Sequence, residues 1–387
     1  MRFYPNRKIN YQNHCSAEAE IHLLKKDENI NMKKIITVVG ARPQFVKAAT
    51  LSRQFRLLDV KEEIIHTGQH FDANMSDVFF EEMEIPKPTF RLNIHGVSHG
   101  AMTGRMLEGI EEILMSRKPD GVLVYGDTNS TLAGALAAAK LNIPVCHVEA
   151  GLRSFNMQMP EEINRILTDR ISSMLFCPTD AAVKNLENEG FQAMPAKIYK
   201  SGDVMQDAAL YYAEKAQLTS NILRKTGLKR FVLGTIHRQE NTDNFENLKN
   251  IIDALNEIHK QIPVVVPMHP RTRNILAQRY RLPEFIVLEP VGYFDMIMLL
   301  KSCELVLTDS GGVQKEAFFF GKQCITLREQ TEWVELVENG FNILTGSNKQ
   351  KIIEAFATSR SRTADFSMNL YGNGHAAKEI AGIISKS

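Results

Sequence analysis

Three acidic residues stand where apolar, strand-like runs give out. In "VLVYGDTNST" Asp127 closes such a run and Thr128 opens a helical one. In "CHVEAGLR" Glu149 follows Val145, Cys146 and Val148. In "MPEEINR" Glu161 follows Pro160, with Arg165 four residues on. An unpaired carboxylate at the end of a core strand costs on the order of several kcal/mol or shifts its pKa. An Asp127–Glu149–Glu161 cluster beside Arg153 and Arg165 would place carboxylates of differing pKa in one cleft, as proton abstraction and delivery require. Structural ion pairing explains the same residues equally well, and Asp127 also reads as a helix N-cap.

A second set of residues suits an anion. "VVGARPQFVK" sets Arg42 and Lys47 at a strand–Gly–helix junction opened by Pro43, although exposed surface charge is the plainer reading. In "LVLTDSGGVQKEAFFFG" a strand ends at Ser310, and Gly311-Gly312 opens directly onto a helix. Free backbone N–H groups and the Ser310 hydroxyl would hold a diphosphate there, with Glu316 one turn on as acceptor for a ribose diol. An ordinary glycine-rich connection remains the alternative. In "GTIHRQENTDN" strand-end His237 serves a phosphate, a general-acid step or a structural hydrogen bond. His269 in "PMHPRTR" joins Arg271 and Arg273 as candidate phosphate contacts. The pairs His66/His70 and His95/His99 have metal-like spacing but no third ligand or HExxH, so a site without metal is expected. No GxGxxG or Walker motif supports a dinucleotide cofactor or a P-loop.

These residues need elements to hold them at strand ends, and short β-rich runs do alternate with helical ones throughout. Strands are expected at Ile35–Gly40, Glu63–Gly68, Gly121–Asp127, Pro144–Glu149, Met174–Pro178 and Lys197–Gly202. A second series follows at Phe231–His237, Val264–His269, Phe285–Glu289, Leu305–Asp309, Cys324–Leu327 and Phe341–Leu344. The pattern predicts an α/β fold of two Rossmann-like doubly wound domains facing a central cleft, with ligand between the C-terminal ends of both sheets. The first domain is expected over residues 32–203, carrying the carboxylates, and the second over 204–370, carrying the nucleotide. Residues 371–387 form a final helix able to pack back on the first domain. Residues 1–31 are polar, lack a signal peptide's apolar stretch and precede "MKKIITVVG"; they read as an extension outside the core, either because Met32 is the functional start or because residues 1–31 form a dispensable arm.

Lys plus Arg number 46 against 45 Asp plus Glu, a balance that leaves no footprint for nucleic acid or an anionic membrane surface. Cysteines 15, 146, 177, 303 and 324 show no paired spacing, which suits reduced thiols and a cytoplasmic protein. No run approaches the roughly 20 apolar residues of a membrane span.

"GARPQFVK", "TGQH", "GDTNST", "HVEAGLR", "PEEINR", "IHRQEN" and "LTDSGG" with Glu316 occur in this order, and together they resemble the non-hydrolysing UDP-N-acetylglucosamine 2-epimerases from about Lys33 to beyond Gly346. The resemblance implies a GT-B-like pair of domains, a homodimer, and no cofactor: neither NAD nor metal. It implies inversion at C2 of a UDP-linked 2-acetamido sugar, for surface polysaccharide precursors. The implied route is anti elimination of UDP to a 2-acetamidoglucal and re-addition to the opposite configuration. By the same resemblance Asp127, Glu149 and Glu161 are the acid/base carboxylates around C2, and His237 stabilises the departing diphosphate. Arg42, Lys47 and Arg165 add charge, Ser310, Gly311 and Gly312 bind phosphates, and Glu316 binds the ribose.

Two positions depart from the commoner pattern: Gln44 replaces a frequent Glu, and "REQTEWVE" (Arg328–Glu335) replaces "TERPE". These look more like the branch acting on UDP-2,3-diacetamido-glucuronic acid. Gln69 and His269 resemble residues of a second, regulatory site for substrate in some relatives. The rival expectations are a GT-B glycosyltransferase, a hydrolysing 2-epimerase that releases free sugar and UDP, and a UDP-sugar sensor without turnover.

Overall fold

The computed structural model describes residues 32–69, 84–361 and 364–387. The expected 1–31 extension and His70 lie outside the described residues.

Among the described residues seven strands form the first sheet: β1 (Lys34–Val39), β2 (Lys61–His66), β3 (Phe90–Arg91), β4 (Gly121–Tyr125), β5 (Val145–Val148), β6 (Met174–Cys177) and β7 (Lys197–Lys200). Six form the second: β8 (Val232–Thr235), β9 (Val264–Pro267), β10 (Ile286–Leu288), β11 (Leu305–Thr308), β12 (Cys324–Thr326) and β13 (Asn342–Leu344). Every pairing is parallel, in the orders β3-β2-β1-β4-β5-β6-β7 and β10-β9-β8-β11-β12-β13. Parallel strands covered by helices on both faces read as continuous apolar runs, and β4 (GVLVY) and β11 (LVLT) are buried at every position. Each aliphatic side chain so buried contributes about 1.5–3 kcal/mol, enough that a charge at Leu123 or Leu307 would break its sheet. β3 was not expected; at two residues it has too short a run to show a period.

Strand order reverses between β1 and β4 in one unit and between β8 and β11 in the other. These are the switch points where α/β sheets open a crevice at their carboxyl ends. All the expected strands but Phe341–Leu344 run one or two residues too long at those ends. Gly40, Asp127, Glu149, His237 and Asp309 all lie beyond their ladders rather than within them.

After the first sheet the chain runs through Gly202 and Asp203 into the helix Val204–Thr219, which Asp203 caps through Oδ1 on the Met205 N–H at 2.8 Å. The last helix, Ala376–Lys386, returns to the first unit. It buries Ala377, Ile380 and Ile384 in the same apolar cluster as Phe45, Phe55 and Tyr212, and Asp207 accepts from the Ala376 and Ala377 N–H groups.

Candidate active site

The first unit contributes three strand-end junctions. After β1, Gly40 passes so close to Thr67 and Ser130 that a Cβ would collide with both hydroxyls, which explains a glycine there. The helix Arg42–Leu57 then begins, and Oε1 of buried Gln44 accepts from the Gly40 and Ala41 N–H groups at 2.8 and 3.1 Å. One turn further, the buried Lys47 ammonium pairs with Oε2 of Glu149. After β4 comes Asp127, half-buried and paired with Arg165. After β5 comes Glu149 itself with φ 71°, a left-handed conformation uncommon for a glutamate; its N–H and that of Ala150 both donate to the Phe176 carbonyl at 3.1 Å.

The second unit meets these residues from across the crevice. Lys315, on the helix Gly311–Phe319, reaches Glu149 Oε1 at 3.0 Å and Asp203 Oδ2 at 2.5 Å. Burial pushes the Glu149 carboxyl up, but Lys315 and Lys47 overcome it and hold the group well below the usual carboxylate range. Glu149 is therefore a buried carboxylate with a lysine on each oxygen.

Ser310 caps the same helix, its Oγ accepting from the Val313 N–H at 3.4 Å. The Gly311 turn lies beneath the Glu332 carboxylate, which would collide with a Cβ there. Glu332 pairs with Arg328 at 3.0 Å; against the upward push of burial, Arg328 and then Arg165 and Arg238 hold its carboxyl low. A glutamate at a helix start, gripped by arginines, shows that this corner favours negative charge. Glu316 is buried, accepts from the Tyr293 hydroxyl at 3.3 Å, and is pushed up to about 7, chiefly by burial.

His237 follows β8 with its ring largely exposed and Nδ1 3.1 Å from Oδ1 of buried Asp309. Asp309 also accepts from the N–H groups of His237 and Arg238 at 3.0–3.1 Å and from Asn241 Nδ2 at 3.1 Å. Burial raises the Asp309 carboxyl, and these donors, His237 first, outweigh it and keep it low. A cavity of about 340 Å³ adjoins this corner, lined by Asn156 and Met159 of the first unit and Asn241, Arg328, Gln330 and Ser347 of the second.

The expected trio of carboxylates is only partly assembled. Asp127 and Arg165 meet, and Lys47 meets Glu149, but Glu161 is exposed on the first turn of the helix Pro160–Ile171. Its neighbour Glu162 turns inward instead, accepting from Arg165 Nη1 at 2.7 Å and from the Ser154 and Phe155 N–H groups. Arg153 does not join the cluster. It faces away, pairing with Asp169 at 2.7 Å and Glu189 at 2.6 Å, because the turn Glu149–Gly151 carries it behind β5. Gln69 accepts from the Ser130 N–H and hydroxyl at 3.0 and 2.7 Å, beside the helix Asn129–Lys140, and His269 is exposed. The side chains of Arg42 and Arg271 lie outside what the structure describes. Lys315, Asp203, Asp309, Glu162 and Glu332 were missed from the sequence. Asp309 and Glu162 lie inside the motifs "LTDSGG" and "PEEINR", which was their signal; Lys315, Asp203 and Glu332 carried none. Among the described residues no three His, Cys, Asp or Glu side chains gather as a metal site would need, and no helix is long and apolar enough to cross a membrane.

Two Rossmann-like units with their switch points opposed across a charged crevice define the GT-B-like class of fold. Residues 55–385 match the family model described as UDP-N-acetylglucosamine 2-epimerase, and the chain belongs to that family. The UDP-2,3-diacetamido-2,3-dideoxy-D-glucuronate 2-epimerase of Pseudomonas aeruginosa is 56% identical over 355 residues, which are 91% of this chain and 99% of that one. The crystal structure of the Methanocaldococcus jannaschii UDP-GlcNAc 2-epimerase in complex with UDP-GlcNAc and UDP has a TM-score of 0.84 at 43% identity, covering 92% of this chain and all of that one. The Neisseria meningitidis UDP-GlcNAc 2-epimerase bound to UDP-GlcNAc gives 0.81 at 32%, covering 92% and 100%. With coverage this complete both units are shared, and the chain is an enzyme of this type.

Proposed function

We propose that this enzyme inverts C2 of a UDP-linked 2-acetamido sugar carrying a 3-acetamido group and a C6 carboxylate. The specific substrate is favoured by the 56% identity to a relative named for UDP-2,3-diacetamido-2,3-dideoxy-D-glucuronate. The observation that carries the reaction class is the opposition of two strand-end groups. Asp127 and Glu149 stand on the first unit, and the Ser310–Gly312 helix start stands on the second, with Lys315 tying the two sides together.

The C2 proton beside an acetamido group is barely acidic, so elimination needs a base on one side and stabilisation of departing UDP on the other. Free N–H groups at Gly311 and Gly312, the Ser310 hydroxyl and the His237 ring supply the second, and the Glu332 carboxylate gives way to the diphosphate. Asp309 orients His237. Glu316 accepts the ribose hydroxyls. On the opposite side Asp127, Glu149 and Glu161 are the acid/base carboxylates around C2, one taking the proton and another returning it to the other face, with Glu161 swinging in from its exposed position. Glu149, held ionised, accepts rather than donates. Lys47 and Arg165, with Arg42, offset the charge that develops. Re-addition of UDP to the rotated 2-acetamidoglucal completes the inversion.

The reading extends to residues 32–203 and 204–370 as the two working domains, 371–387 as a strap on the first, a cytoplasmic homodimer, and Gln69 with His269 at a second, regulatory nucleotide site. Exposed Ile163 and Leu167, four residues apart on one helix, supply an apolar face for the dimer. NMR of the enzyme in D₂O with UDP-GlcNAc, and separately with the 2,3-diacetamido uronate, tests the reaction. Deuterium entering C2 of the uronate without net UDP release is expected. Stoichiometric free UDP would make it a hydrolysing epimerase, and no exchange with either sugar would refute the reading.

A further inference from the structure

Lys315 leaves its own unit. It lies one turn inside the helix Gly311–Phe319 and is only 1% exposed. Its ammonium meets Oε1 of Glu149 at 3.0 Å and Oδ2 of Asp203 at 2.5 Å, both in the first unit, while the Trp333 ring centroid lies 3.9 Å away. The other Glu149 oxygen belongs to Lys47. Each oxygen of this carboxylate is thus held by one lysine, and the two lysines come from different units.

Ion pairs this deep are poor stabilisers, because desolvation offsets most of the attraction. Their value is geometric. Four residues before Lys315, the same helix presents Gly311 and its free N–H groups, so whatever seats that helix also seats the ammonium on Glu149.

We infer that Lys315 is a positioning residue for Glu149, fixing its carboxylate and tying its ionisation to the docking of the anion-binding helix against the first unit. The inference rests on the reading that Glu149 works at C2. The charged groups facing Glu149 are Lys47 and Lys315, and Lys315 in turn faces Asp203, Glu316 and Glu335. Burial opposes the ionised Glu149 and the lysines support it. Removing one lysine leaves burial opposed by the other alone, and the carboxyl rises.

The test is a double-mutant cycle of wild type, Lys315→Met, Glu149→Gln and the pair, read as deuterium exchange at C2 and as kcat between about pH 5 and 9. Lys315→Met is expected to lower kcat about tenfold or more with little change in KM, and to bring in an acidic limb at higher pH than in the wild type. In the Glu149→Gln background the same change should cost less than about twofold. Lys315→Arg should restore both kcat and the limb. Equal losses in both backgrounds, or an unmoved limb, would overturn the inference. If Lys315→Met fails to fold, Asp203→Asn decides: it leaves Lys315 wholly to Glu149, so the limb must stay or move down, and an upward move overturns the inference. Absence of exchange in the wild type would remove the C2 reading first, and this inference with it; exchange in the wild type with an additive cycle would remove this inference alone.

Discussion

The Tyr293 hydroxyl donates to Oε1 of Glu316 over 3.3 Å, inside the corner where Lys315 crosses between the units. Burial pushes the Glu316 carboxyl up to about 7; Tyr293 and Lys315 lower it, and Asp203 raises it further. The folded chain therefore holds a proton that the unfolded chain releases near 4.5, so stability falls as pH rises from 4.5 through 7. Glu316→Gln should match the wild type near pH 4.5 and exceed it at pH 8 by on the order of 2–4 kcal/mol. Denaturant midpoints at the two pH values check this. UDP affinity carries the complementary signature: it should climb through pH 7 in the wild type, as Glu316 ionises and accepts the ribose, and stay flat in the variant.

Asp309 makes the second prediction. It receives His237 through both ring and backbone and ties Arg238 and Asn241 to the same point. An amide in its place cannot accept four donors, so Asp309→Asn should misorient His237 and lower kcat on the order of 10²-fold. His237→Ala alone and with Asp309→Asn should then lose similar amounts. Independent, multiplying losses would show that the aspartate does not act through His237.

The alternation of apolar and helical runs sufficed to place twelve of the thirteen strands among the described residues, because both sheets are parallel and buried and need no finer pattern. The crevice followed, since a glycine at Gly40, acids at Asp127 and Glu149, and the Ser310-Gly311-Gly312 turn mark where the ladders end. What sequence could not show is rotation. On the helix Pro160–Ile171, Glu161 and Glu162 are adjacent and chemically alike, yet a turn of about 100° sends one to solvent and the other to Arg165. Lys315 was hidden for a related reason: its partners lie 166 and 112 residues away, in the other unit. No local spacing reports such a contact.

The last helix offers a test of folding rather than chemistry. Ile380 and Ile384 are fully buried with Phe45, Phe55 and Tyr212, on the face of the first sheet that carries the Arg42–Leu57 helix and therefore Lys47. Ile380→Ala should cost about 2–5 kcal/mol by cavity formation. Because the strap packs against that helix in one apolar cluster, hydrogen exchange should quicken in Arg42–Leu57 as well as in the strap. Loosening confined to residues 376–386 would show that the strap is only an appendage.

Gln44 stands where the family often has Glu, and its surroundings explain the amide. Its Nε2 lies 2.9 Å from the Tyr125 carbonyl, from Thr128 Oγ1 and from Thr131 Oγ1, while Oε1 already receives the Gly40 and Ala41 N–H groups. A carboxylate would keep the two backbone bonds and lose the donor. The threonine hydroxyls can rotate to donate, but the Tyr125 carbonyl cannot, and Thr131 already donates to it at 2.7 Å. Gln44→Glu thus sets an ionised oxygen against a buried carbonyl, which costs about 1–3 kcal/mol. The carboxyl can escape by keeping its proton and donating as the amide does. Its folded pKa is then raised, so the penalty is absent below about pH 4 and grows as pH climbs through the raised value. Thermal unfolding of Gln44→Glu against wild type at about pH 5 and pH 8 reads this directly. The deficit should be larger at the higher pH; a deficit equal at both would mean that the site tolerates the charge and loses only packing.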